Sequence, residues 1–86
     1  MFQVNDLYKA INLLKEQCKV IPEKYTMYNG AYLFLAYPKG VVDKNKYMTP
    51  WYIVDLKRKV AGHFSPAFDL NGFILASEHL KSIKNN

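Results

Sequence analysis

The stretch from Pro50 to Leu70, PWYIVDLKRKVAGHFSPAFDL, limits the folds open to this chain more than any other. Trp51–Leu56 is rich in aromatic and β-branched residues, as half-buried strands are. Asp55–Lys59 supplies a tight polar turn, and Lys59–Phe64 returns antiparallel. Gly62 within the return strand marks a bulge or a close backbone approach. Ser65-Pro66 then punctuates the strand end, because proline suits a first helical position and serine the cap before it. Asp69 is a competing cap a few residues on. The closing helix carries Leu70, Phe73, Ile74, Ser77 and Leu80 along one stripe, and Gly72 weakens it by roughly 1 kcal/mol relative to alanine. Lys81 and Lys84 complement its C-terminus, and Asn85 and Asn86 are expected to fray.

The rest of the chain reads as cover for this unit. Asn5 caps a first helix, with Asp6 in its first turn, where negative charge is favourable. Leu7, Ala10, Ile11, Leu14 and Cys18 recur at helical spacing, with Lys9, Asn12, Lys15 and Glu16 on the other side. Cys18 ends the buried stripe as a small hydrophobe rather than a reactive thiol. Lys19–Gly30 reads as a connector, because Pro22 disfavours helix at Ile21. Tyr25, Met27 and Tyr28 form either a short edge strand or an ordered loop. Asn29-Gly30 is a strong turn signal and opens the option of a hairpin with the strand beyond it.

Ala31–Tyr37, AYLFLAY, is the clearest strand, apolar on both faces and stopped by Pro38. Such a strand lies centrally, or leaves one face for something else. Pro38–Thr49 is a basic loop carrying Lys39, Lys44 and Lys46, with Val41 and Val42 either folded inward or part of a contact surface. The predicted architecture is one α+β domain over residues 1–86: an N-terminal helix, a three- or four-stranded antiparallel sheet and a C-terminal helix, with both helices on one sheet face. Two helix stripes cannot easily cover the second face. Its aromatic candidates come from Tyr32, Phe34, Trp51, Tyr52 and Ile53, and an uncovered apolar face of this kind marks an interface.

Composition narrows the function classes. With half of its 86 residues hydrophobic, the chain is expected to fold. A single cysteine, Cys18, forms no intramolecular disulfide, which fits a reducing cytoplasm. No apolar run approaches the ~20 residues of a membrane span, and MFQVNDLYKA lacks the character of a signal peptide. The net charge of +5 rests on lysine, with Arg58 the one arginine. A basic balance suits a nucleic acid, an anionic membrane or an acidic protein partner, but base and phosphate readout favours arginine.

Catalytic chemistry finds little to work with. His63 and His79 are far apart in sequence, no HxxxH or CxxC spacing suggests a metal, and the four glycines stand singly rather than in a phosphate loop. Asp55 reads as a turn-closing carboxylate. The expectation is a non-catalytic, cofactor-free interaction protein. Its contact residues would be Tyr32, Phe34, Trp51 and Tyr52 on the sheet, with Lys57 and Arg58 at the hairpin tip. The tip's positive charge is equally explained as protection against edge pairing. The partner would be another protein, an acidic one where the basic loops take part, or a second copy. The alternative is single-stranded nucleic acid, with the same aromatics stacking bases and Lys39, Lys44, Lys46, Lys57 and Arg58 guiding the backbone. The RNP-type pattern is absent, and Asp43, Asp55 and Asp69 interrupt the basic run.

The order of these motifs resembles the YrhB-type family of small bacterial toxin-immunity proteins. The resemblance rests on the leading helix at Asn5–Lys15, the Gly-aromatic strand at Gly30–Tyr37, the Pro-aromatic-Ile-Val-Asp segment at Pro50–Asp55 and the strand at Lys59–Phe64. The chain departs from the family plan in the turn after Asp55, which lacks a glycine, and in the loop before Pro50, which lacks Gly-Asn. The resemblance implies a binding protein that neutralises a toxin by capping its surface. A small phage accessory or inhibitor protein is an equally natural setting.

Overall fold

The computed structural model describes residues 4–47 and 50–83, which include an N-terminal helix, a five-stranded antiparallel sheet and a short C-terminal helix. Helix α1 spans Val4–Cys18, β1 Val20–Tyr28, β2 Ala31–Pro38, β3 Trp51–Asp55, β4 Val60–His63, α2 Leu70–Ser77 and β5 Lys81–Ser82. The sheet order is β4-β3-β2-β1-β5. Four strands form a meander, and the chain then crosses by way of α2 to add β5 beside β1. The expected α+β class holds, with five strands instead of three or four. The expectations for Lys84, Asn85 and Asn86 lie outside the described residues.

The two additional stretches of sheet have separate causes. β1 runs straight through Pro22, where a connector was expected. The pairing of β1 with β2 shifts between Pro22 and Lys24, so the proline stands beside a bulge at Glu23. At a bulge the missing N–H costs no regular ladder bond. β5 is only two residues long, pairing Lys24 with Ser82 and Tyr25 with Lys81, and the Ile83 amide adds a bond to the Glu23 carbonyl at 3.0 Å. It replaces the last turn expected of the closing helix, which ends at Ser77.

Local chemistry sets the connections. Lys19 alone joins α1 to β1. It adopts φ 58°, and its N–H bonds the Lys15 carbonyl, ending the helix with a left-handed residue. Asn29 and Gly30, at φ 49° and 79°, make the tight turn of the β1–β2 hairpin. Asp55 closes the β3–β4 turn as its sequence position suggested: one carboxylate oxygen accepts from the Lys57 amide at 2.9 Å and the Arg58 amide at 3.3 Å.

The helices lie on opposite faces of the sheet, which corrects the expectation of a shared face. Cross-strand partners place Tyr25, Phe34, Tyr52 and His63 in one row, and Met27, Tyr32, Val54 and Ala61 in the next on the same side. Helix α1 packs here: Ala10, Ile11 and Leu14 form one core cluster with Val20, Tyr32, Phe34, Ala36 and Val54. The other side carries Thr26, Leu33 and Ile53 in one row and Leu35 and Trp51 in the next. Helix α2 covers this side by setting Phe73 edge-on against Trp51, with ring centroids 4.7 Å apart. The physical reason lies in β2, the central strand. It is apolar on both faces, and each face of such a strand needs a covering layer.

At the outer edge of β4, α1 reaches over the sheet. The Gln17 side chain accepts from the Ala61 amide at 2.8 Å and donates to the Lys59 carbonyl at 2.9 Å. Backbone groups that would otherwise face open solvent at an edge strand are thereby paired.

Candidate functional site

The four aromatics expected on a bare sheet face do not share one. Tyr32 and Phe34 are core residues, 2% and 0% exposed, stacked on each other at 6.0 Å beneath α1. Tyr52 is on that same side, partly buried against the α1 core and edge-on to His63 at 5.6 Å. Trp51 is on the opposite side, under α2. Lys57 and Arg58 are exposed at the hairpin tip, where Arg58 Nε is 3.8 Å from an Asp55 carboxylate oxygen. The predicted surface is therefore corrected: strand alternation separates Trp51 from Tyr52, and the core takes Tyr32 and Phe34.

Among the exposed large apolar side chains of the described residues, four fall close together on the segment after β4. Phe68 is 90% exposed, Leu70 57%, Ile74 47% and Leu75 64%. The segment begins with a 3-10 turn at Pro66–Phe68 and continues as α2. The sequence LNGFILAS contains no charged residue, so α2 has no polar face to turn outward. At 3.6 residues per turn, Phe73, Ala76 and Gly72 share the side toward the sheet, and Leu70, Asn71, Ile74 and Leu75 share the other. Of the stripe expected to be buried, Phe73 does turn to the sheet, joined by Ala76, whereas Leu70 and Ile74 turn outward. The available signal was the absence of any charge in the helix, not the spacing of its apolar residues.

Asp69 fixes where this surface points. It caps α2, accepting from the Gly72 amide at 3.2 Å on one oxygen and from the Tyr28 hydroxyl on the other. Tyr28 also packs edge-on to Phe64 at 5.1 Å, which stacks on Phe73. Glycine at 72 is part of the device. A Cβ there would collide with the Asp69 carboxylate, and moving that carboxylate would break both of its bonds. Ser65, the other candidate, starts the 3-10 turn without a side-chain capping bond.

Each partner of this latch shifts the other's protonation. The Tyr28 hydroxyl, then the Gly72 amide, hold the Asp69 carboxyl below the ordinary carboxylate range. Donation to Asp69, then desolvation, push the Tyr28 phenol up. A depressed Asp69 adds stability above its unfolded pKa and loses it as pH falls through the folded value. A raised Tyr28 adds stability below its unfolded pKa and loses it as pH rises through the folded value. The latch is therefore closed between the ordinary carboxylate and phenol ranges and weakened on either side. Trp51, the one tryptophan, lies against α2 and reports this directly. Its fluorescence is expected to change on acidification before global unfolding, and Tyr28→Phe should remove most of that early step. An early step of unchanged size in Tyr28→Phe would show that the hydroxyl does not hold α2.

The basic loop is pinned by Lys44, which pairs with Glu23 and lies 5.3 Å from the centre of the Tyr37 ring. Tyr47 packs edge-on to Tyr37 at 6.0 Å. Asp43 caps the 3-10 turn Lys44–Lys46, and Val42 is exposed. Burial raises the pKa of Cys18, which disfavours the thiolate. An open cleft of about 470 Å³ between α1 and the β3–β4 turn is lined by Asp6, Lys9, Asn12, Leu13, Leu56 and Lys59. Among the described residues no three His, Cys, Asp or Glu side chains gather as a metal site would require, and no helix is long and apolar enough to cross a membrane. No protein-family model matches the chain, and no curated protein or solved structure matches it either.

Proposed function

We propose that this chain is a non-catalytic protein-binding module whose contact surface is the outer side of Pro66–Ser77. The observation that carries the reading is the exposure of Phe68, Leu70, Ile74 and Leu75 together on an uncharged segment. Single exposed apolar residues are ordinary, but a contiguous group of large ones marks an interaction site. The Asp69 cap and the Trp51–Phe73 contact hold the group on a fixed element, so little ordering cost falls on association. The resemblance to YrhB-type immunity proteins points to the same class of activity, covering a partner's surface. A phage accessory or inhibitor role would use the surface in the same way. The exposed Lys57 and Arg58 would add attraction for an acidic partner and raise the encounter rate more than the affinity.

The nucleic-acid reading needs aromatic rings that bases can reach, and Tyr32 and Phe34 are enclosed. A photo-crosslinking side chain at position 75 tests the choice. The expected result is a crosslink to one defined protein chain, competed by unlabelled wild type and not by Leu75→Lys. Crosslinks that disappear on nuclease treatment, or a wild-type competitor no better than Leu75→Lys, would overturn the reading.

A further inference from the structure

The occupant of this surface is indicated by where the charge is. Between Val60 and Leu80 the sequence has no Lys or Arg; all twelve are elsewhere, and the segment carries only Asp69 and Glu78 as acidic residues. Asp69 is already engaged by Tyr28 and Gly72. A chain of net charge +5 repels its own copies over most approaches. An approach with α2 foremost brings the uncharged Leu70–Ser77 of one copy against that of another, with the exposed Glu78 at the C-cap the nearest charge on the same arc.

The side chains on this face suit self-pairing. Leu70, Ile74 and Leu75 surround Asn71, the one polar residue on the outer arc of α2. A carboxamide carries both donor and acceptor, so Asn71 can pair with the same residue of another copy across a two-fold axis. Four large side chains about half exposed or more leave on the order of 500 Å² of apolar surface. Two copies would then bury on the order of 1,000 Å², at the lower bound for a specific interface.

We infer that the surface formed by Phe68, Leu70, Asn71, Ile74 and Leu75 is the interface of a two-fold symmetric dimer of this chain, α2 against α2. The inference rests on the reading of Pro66–Ser77 as a contact surface and names its partner. The contact is apolar and the bodies it joins are alike in charge, so added salt screens the repulsion and strengthens the dimer. A nucleic-acid complex or a basic–acidic pair weakens with salt instead.

Sedimentation velocity over a concentration series at low and high salt tests this. Wild type should show a monomer–dimer equilibrium shifted toward dimer by salt. Leu75→Lys should be monomeric throughout with Trp51 fluorescence unchanged, and Asn71→Arg in the same patch serves if that variant fails to fold. In a Cys18→Ser background, Asn71→Cys should form a disulfide with its own copy, because position 71 meets itself at the axis, and failure to form one under oxidation overturns the two-fold placement. A dimer that persists in Leu75→Lys and Asn71→Arg overturns the placement on α2. Wild type that is monomeric at every concentration overturns self-pairing. The fate of the underlying reading is then read from an apolar dye: binding to wild type and not to Leu75→Lys retains α2 as a contact surface, and equal binding to both removes it.

Discussion

Phe34→Ala is expected to destabilise the domain by about 3–5 kcal/mol, the cost of deleting a fully buried aromatic side chain and leaving its space only partly refilled. A chain of this size has a total stability of roughly 4–13 kcal/mol, so the variant should be close to unfolding at physiological temperature. Phe34 has no exposed surface and packs with Tyr25, Tyr32 and the apolar stripe of α1, so little can collapse into the gap without moving the helix. Urea denaturation with a fluorescence readout measures the loss. A midpoint shift worth less than about 1 kcal/mol would place Phe34 outside the core, since even a truncation that relaxes well costs more than that. The same measurement bears on function, because a ring that holds the fold together is not free to bind a partner.

The second large effect is expected at Trp51, with a different pattern. Trp51→Ala removes a ring that is only partly buried, so the loss should be about 2–3 kcal/mol, below the full range for a buried tryptophan. It should fall unevenly across the molecule. Trp51 is the sheet's contact with Phe73, whereas α1 packs on the other side. Amide exchange is expected to quicken through Leu70–Ser77 and at Lys81–Ser82, with α1 and the β2–β3 pairing still protected. Uniform loss of protection would mean that the two faces melt as one unit and that α2 has no separate hold on the sheet.

Much of the fold was legible in the residues. The spacing of Ala10, Ile11 and Leu14 gave the buried stripe of α1, the two-sided apolar run at Ala31–Tyr37 gave a central strand, and Asp55 closed its turn as its position suggested. Each of these is a local pattern with a local cause. What was not legible depends on partners distant in sequence. Pro22 argues against a regular strand until the shift at Glu23 is known, and Lys81–Ser82 has no strand pattern because its pairing comes entirely from Lys24 and Tyr25. The expectation of one bare aromatic face failed for a related reason. Helical spacing groups Leu70, Phe73 and Ile74 on one stripe, but it cannot tell which edge of that stripe meets the sheet when both sides of a helix are apolar. The aromatic residues on β2 and β3 attracted attention because strand residues read as surface when no cover is in view, and α1 and α2 each supply one.

The amide of Gln17 has a consequence for self-assembly of a different kind. Sheets grow into fibrils when an edge strand offers free backbone groups to the next molecule. On the β4 side those growth points are partly occupied, because Gln17 holds both the Lys59 carbonyl and the Ala61 amide. On the far side the terminal strand is two residues long, too short a template to seed a ladder. Both lateral ends of the sheet thus offer a neighbour less free backbone than bare full-length edges would, which disfavours open-ended growth by strand addition.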